Sequence, residues 1–208
     1  MTTETLLAFI AATALFAYMP GPAVLYTAAQ TISRGRRAGF LAVAGIHLGC
    51  YVHVMAAAFG LSAIFTVVPV LYFALKLVGG LYLIFLGIQM IRTRVTAGPL
   101  PDLPQKSTRR AFADSVAVEI LNPKVAIFFI AFLPQFVSPD AGLPIWAQFL
   151  ILGTFVNCAF TSADLVTVLF ASEVKRRLTR NSRYQDLTRW LGGSLLCGLG
   201  VKLATDRA

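Results

Sequence analysis

Apolar residues fill this chain in long unbroken stretches, and charged residues are confined largely to the links between them. Six stretches can be drawn, at Leu6–Ile32, Ala38–Phe65, Val70–Ile91, Phe112–Phe136, Leu143–Ala171 and Thr188–Leu203. A helix that crosses a bilayer needs ~20 mainly apolar residues, so the pattern predicts six transmembrane helices. The run from Ala38 to Leu75 has no Lys, Arg, Asp or Glu; it is too long for one crossing and is interrupted near Pro69, which splits it into a hairpin. Glu4 and no basic residue precede the first stretch, so it lacks the positive flank of a cleavable leader and is expected to remain as a helix.

Composition agrees with that pattern. Of the 208 residues 57% are hydrophobic and 13% charged, against roughly 45–50% and 25% in an average soluble domain. Six crossings use most of the chain, so a single transmembrane domain over residues 1–208 is expected.

The net charge of +9 suits nucleic acid in principle, but the basic residues are not arranged as a stripe on one surface. Arg34, Arg36 and Arg37 follow the first stretch, Arg92, Arg94, Lys106, Arg109 and Arg110 the third, and Lys175, Arg176, Arg177, Arg180, Arg183 and Arg189 the fifth. The links after the second and fourth stretches carry no basic residue. Basic links face the cytoplasm, so the charge reports topology: three links inside and both termini outside. The expected location is a membrane crossed several times, with the lipid bilayer as solvent.

The two halves of the chain resemble each other. Aligning "KLVGGLYLIFLGIQM" (Lys76–Met90) with "RWLGGSLLCGLGVKL" (Arg189–Leu203) matches Gly79 with Gly192, Gly80 with Gly193, Leu83 with Leu196, Leu86 with Leu199 and Gly87 with Gly200. Repeat one then covers about 1–92, a cytoplasmic linker about 93–110, and repeat two about 111–208. With three crossings in each half, the second copy stands inverted in the bilayer. The fold class is thus an all-α membrane protein of two inverted three-helix repeats, an arrangement characteristic of secondary transporters. Gly45 and Gly49, at helical spacing, suit close approach of two backbones.

The first and fourth stretches are interrupted at corresponding places, by Pro20, Gly21 and Pro22 and by Asn122 and Pro123. Proline cannot donate to the carbonyl four residues earlier, so these prolines free the carbonyls of Phe16, Tyr18 and Glu119. Free backbone groups are tolerated at membrane depth only inside protein or beside a wet cavity. Pro22 is ten residues from Ile32 and Asn122 ten from Phe112, which is ~15 Å of helix and about half the hydrocarbon thickness. Helices 1 and 4 are therefore expected to break near the midplane. The half-helix after each break begins with free N–H groups, suited to a carboxylate, and the freed carbonyls suit an ammonium or a proton carrier. A zwitterion such as an amino acid fits both.

Ionisable residues at membrane depth are costly and usually face the bundle interior. Asp164 in the fifth stretch, Lys124 and Glu119 beside the second break, and His47 in the second stretch are the candidates. Asp164 and Lys124 are expected either to neutralise each other or to serve substrate and proton. His47 and His53 read as interhelical hydrogen-bond donors more readily than as ligands, and Lys76 is compatible with reaching toward the outer interface. Cys50, Cys158 and Cys197 stand singly, without spacing for a metal or a disulfide, and read as packing residues. No HExxH, GxSxG or P-loop occurs, so neither an enzyme, a bound cofactor nor a metal centre is indicated. The other function classes are a metal or inorganic-ion exporter, which needs clustered ligands, a thiol carrier, which needs facing cysteines, and a scaffold, which has no use for broken helices.

The segments "PGPAVLYTAAQTISRGRRAGFLAVAGIHLGCYVHVMAAAFGL", "LKLVGGLYLIFLGIQMIR", "LNPKVAIFFIAFLPQFV" and "WLGGSLLCGLGVKL" closely resemble the LysE/RhtB family of bacterial amino-acid exporters, over nearly the whole chain. The resemblance implies efflux of amino acids or their derivatives across the inner membrane, driven by the proton-motive force. It also implies a role for an acidic residue in the fifth span, matched by Asp164. Many members have an acidic or amide residue where this chain has Cys50. A bundle this small is compatible with a homodimer.

Overall fold

The computed structural model describes residues 2–63 and 108–171, with scattered helical positions within 77–92 and 190–201. The described residues are all helical or loop, with no strand. Three helical segments, Arg36–Leu61, Arg109–Phe136 and Ile145–Leu169, are long and apolar enough to cross a membrane, and the bent pair Thr3–Tyr18 with Pro22–Arg34 makes a fourth span if counted as one. These correspond to the first, second, fourth and fifth stretches of the sequence. The third and sixth, their glycine match, Lys76 and the linker after Arg92 lie largely or wholly outside the described residues.

Helix α1 (Thr3–Tyr18) starts where the Thr2 hydroxyl accepts the Thr5 N–H at 3.2 Å. It ends where Pro20 has no N–H to give, and Met19 turns to extended backbone (φ −73°, ψ 126°). Gly21 is extended as well, and Pro22 takes the first position of α2 (Pro22–Arg34), where a missing N–H costs nothing. The two pieces are bent by 45°. Gly35, at φ 85°, closes α2 through its N–H to the Thr31 carbonyl at 3.0 Å and lets α3 (Arg36–Met55) turn straight back. The conformation is open to glycine and strained for other residues, which accounts for Gly35 within the basic turn. A wider π-turn, Ala56–Leu61, prolongs α3.

Helix α4 (Thr108–Ile120) runs parallel to α3 along the Gly45–Gly49 face. A methyl group on Gly45 would stand 2.8 Å from the Phe112 carbonyl, and one on Gly49 2.7 Å from the Val116 carbonyl. Lipid tails are as apolar as leucine, so association rests on such close packing. After the second break come α5 (Pro123–Ile127), a π-turn at Phe128–Phe132 and a tight turn at Leu133–Phe136. Helix α6 (Ile145–Leu169) then lies antiparallel to α3. Gly39 faces Val168, His47 faces Thr161, and Val54 faces Gly153.

The breaks divide the described bundle into unlike halves. On the α1 side Phe9, Phe16, Phe128, Phe132, Phe136 and Phe160 form a stack with neighbouring centroids 4.4–6.3 Å apart. Each such pair contributes ~0.5–1.5 kcal/mol beyond its contact area. On the α2 and α4 side the buried residues include Thr27, Gln30, Thr31, Ser115, Glu119, Asp164 and Thr167. One half is thus sealed by aromatic rings and the other is lined by polar side chains.

Candidate functional site

Both breaks come together through Lys124. Asn122 caps α5 by accepting the Lys124 N–H on its side-chain oxygen at 3.1 Å, which orients the first turn and its lysine. The Lys124 ammonium donates to the Met19 carbonyl at 2.6 Å. That carbonyl is available because Met19 is extended and has left the α1 ladder. The stem of Lys124 passes over Gly21, so close that a Cβ there would lie 2.8 Å from Lys124 Cδ. The rings of Phe16 and Phe160 flank the same ammonium, with centroids at 4.9 and 5.9 Å, within the range of attraction between a cation and an aromatic face.

Two of the carbonyls freed by proline, those of Phe16 and Glu119, find specific partners. Phe16 O accepts the Met19 N–H at 3.4 Å. Glu119 O accepts the Asn122 N–H at 3.0 Å and also His53 Nε2 at 3.0 Å. A carbonyl can only accept, so His53 carries its proton on Nε2. The sequence named Phe16, Tyr18 and Glu119 as the freed carbonyls; the carbonyl that receives Lys124 is Met19's. Residue spacing alone misses it, because it depends on the backbone turning extended just before Pro20.

Three ionisable side chains gather around this junction. The buried Glu119 carboxylate accepts the Asn122 amide N–H at 3.0 Å. Asp164, 2% exposed, lies one helical turn beyond Phe160 on the same face of α6, and its Oδ1 has no hydrogen-bond partner. Lys124 is electrostatically coupled to both carboxylates, yet its hydrogen bond goes to backbone. Buried polar atoms are nearly always paired; among the described residues Asp164 Oδ1, Thr13 Oγ1 and Thr27 Oγ1 are not.

Gly21, Asn122, Lys124, Glu119 and Asp164 are therefore gathered at the junction, with Pro20, Pro22 and Pro123 as exposed rings at its edges. His47 is engaged elsewhere. Its Nδ1 meets Thr161 Oγ1 at 2.7 Å, and its carbonyl accepts from Asn157 at 3.2 Å. The Thr161 hydroxyl proton goes to the Asn157 carbonyl at 2.8 Å, so His47 is the donor of the first bond. Cys50, expected to serve packing, is buried in the core. Among the described residues no three His, Cys, Asp or Glu side chains gather in a group that could hold a metal.

Broken apolar helices with polar and charged side chains at the junction define a helical membrane protein with a polar centre. The LysE type translocator profile matches residues 14–207, and the chain belongs to that family. It is 34% identical over 211 residues to the homoserine/homoserine lactone efflux protein of Salmonella typhimurium, covering 100% of this chain and 99% of that one. It is 29% identical to the threonine efflux protein of Escherichia coli K12, over 90% and 91% of the two chains. It is 27% identical to the leucine efflux protein of Klebsiella pneumoniae, over 90% and 88%. No solved structure matches the chain at a significant level.

Proposed function

We propose that this protein is a secondary transporter that exports amino acids or their derivatives across the bacterial inner membrane, driven by the proton-motive force. The observation that carries the proposal is the meeting of both helix breaks at Lys124, with the unpartnered Asp164 carboxylate on the adjoining face of α6. The ammonium of Lys124 and the uncapped start of α2, where Gly21 supplies no side-chain acceptor, suit a substrate carboxylate. The start of α5 is already capped by Asn122, so the two breaks divide the work unequally. The Met19 carbonyl, outside the α1 ladder, suits the substrate ammonium. Asp164 is the group that exchanges a proton.

The relatives named above are efflux proteins for homoserine, threonine and leucine, which supports a small amino acid as substrate. In the proposed architecture six spans form two inverted repeats, with both termini outside. Two observations support it. Helices α3 and α6, the second span of each repeat, pack antiparallel, as copies related by an axis in the membrane plane would. The Cys197 thiol donates to the Ile84 carbonyl at 3.6 Å, and these are the paired positions when Lys76–Met90 is aligned with Arg189–Leu203. Counterpart residues meet where such an axis passes.

The test is uptake of labelled homoserine, threonine and leucine into everted vesicles holding the full chain, with and without an uncoupler. Accumulation of at least one of them, abolished by the uncoupler, is expected. Uncoupler-insensitive accumulation would remove the proton-driven part, and no transport of any amino acid would remove the substrate class.

A further inference from the structure

We propose that the Met19 carbonyl and the rings of Phe16 and Phe160 form a cation subsite, and that Lys124 is a tethered plug which fills it until an incoming primary ammonium takes its place. The inference deepens the export reading and rests on it for the identity of the displacing solute. The geometry is that of a recognition site for an alkylammonium: one backbone oxygen at 2.6 Å and two aromatic faces at 4.9 and 5.9 Å around a single nitrogen. Backbone oxygen and ring quadrupole both attract a cation and need no counter-charge.

Two features distinguish a removable plug from a fixed tether. The ammonium has three N–H donors, and Met19 is its one hydrogen-bond acceptor among the described residues, so two donors remain for a carboxylate. Lys124 keeps part of its surface exposed, and its stem passes over a glycine, whose lack of a side chain leaves that path clear. An amino acid carries both groups needed for the exchange. Its carboxylate draws Lys124 away from Met19, and its ammonium enters the vacated cage. A solute with an ammonium alone offers nothing to draw the lysine out, which makes the plug a filter against simple amines.

The experiment measures binding of n-butylammonium to the full-length protein in detergent by calorimetry. Lys124→Met empties the cage and is expected to bind this probe about tenfold more tightly than the wild type, the scale of a partly desolvated cation–π site. Lys124→Gln serves should methionine be poorly tolerated. Lys124→Arg, which keeps a tethered cation, shows no gain, and adding Phe160→Leu to Lys124→Met removes the gain. A folded Lys124→Met or Lys124→Gln without tighter binding overturns the proposal. So does a gain that survives Phe160→Leu, because the cation would then be bound elsewhere. A cage-dependent gain in a protein that exports no amino acid would sustain the cage and overturn the export reading; export without the gain would do the reverse.

Discussion

The Lys124 ammonium and the Met19 carbonyl, 105 residues apart in sequence, lie 2.6 Å apart and join the two interrupted helices. Gly21 is the position most sensitive to this bond. Gly21→Ala sets a methyl carbon 2.8 Å from Lys124 Cδ, and the lysine stem must shift. Overpacking of this kind costs about 1–3 kcal/mol. The expected result is normal membrane insertion with a reduced initial efflux rate. Efflux equal to wild type would detach the bond from transport.

Glycines along the bundle should separate by what faces them. At Gly49 a side chain meets the Val116 carbonyl, which is backbone and cannot turn aside, whereas Gly60 has nothing within 4 Å. Gly49→Ala is expected to lower the thermal midpoint in detergent by several degrees, about 1–3 kcal/mol of overpacking. Gly60→Ala should leave it unchanged or raise it, since alanine is favoured over glycine in a helix by ~0.5–1 kcal/mol. The comparison requires only thermal unfolding of the purified protein.

His53 holds the Glu119 carbonyl that Pro123 leaves without its helical donor. His53→Leu removes the interhelical bond, at a cost of ~0.6–1.7 kcal/mol in a membrane protein. His53→Gln, which restores an N–H of similar reach, should recover much of the lost stability. Equal destabilisation by both variants would mean that imidazole packing, not the hydrogen bond, is what matters there.

Asp164→Asn keeps the size of the side chain and removes its capacity to give up a proton. Counterflow exchange of amino acid across proteoliposomes should persist, while uphill accumulation driven by an imposed pH gradient should be lost. Gradient-driven accumulation at the wild-type level would take Asp164 out of the coupling step.

The helix breaks were legible in the sequence because proline lacks a donor wherever it stands, and the equal depth of Pro22 and Asn122 follows from counting residues. Observed α2 and α4, the legs on the polar side of the breaks, are both 13 residues long. The Gly45–Gly49 face was legible for a similar reason, since spacing alone marks a close approach. The partner of Lys124 was not. Sequence logic pairs a buried cation with a buried anion, and Asp164 was the candidate; the side chain goes instead to backbone that only a bent helix exposes. His47 also shows the limit of depth as a guide, because depth does not decide which face of a helix a residue occupies. It faces Thr161 and Asn157.

Cross-linking reads the meeting of the two breaks most directly. In a chain with Cys50, Cys158 and Cys197 changed to serine, the pair Gly21→Cys and Lys124→Cys is treated in native membranes with a short bifunctional thiol reagent. Rapid joining of the two positions is the expected result. Failure of the two thiols to join, with each shown to react singly, would contradict the account at its centre.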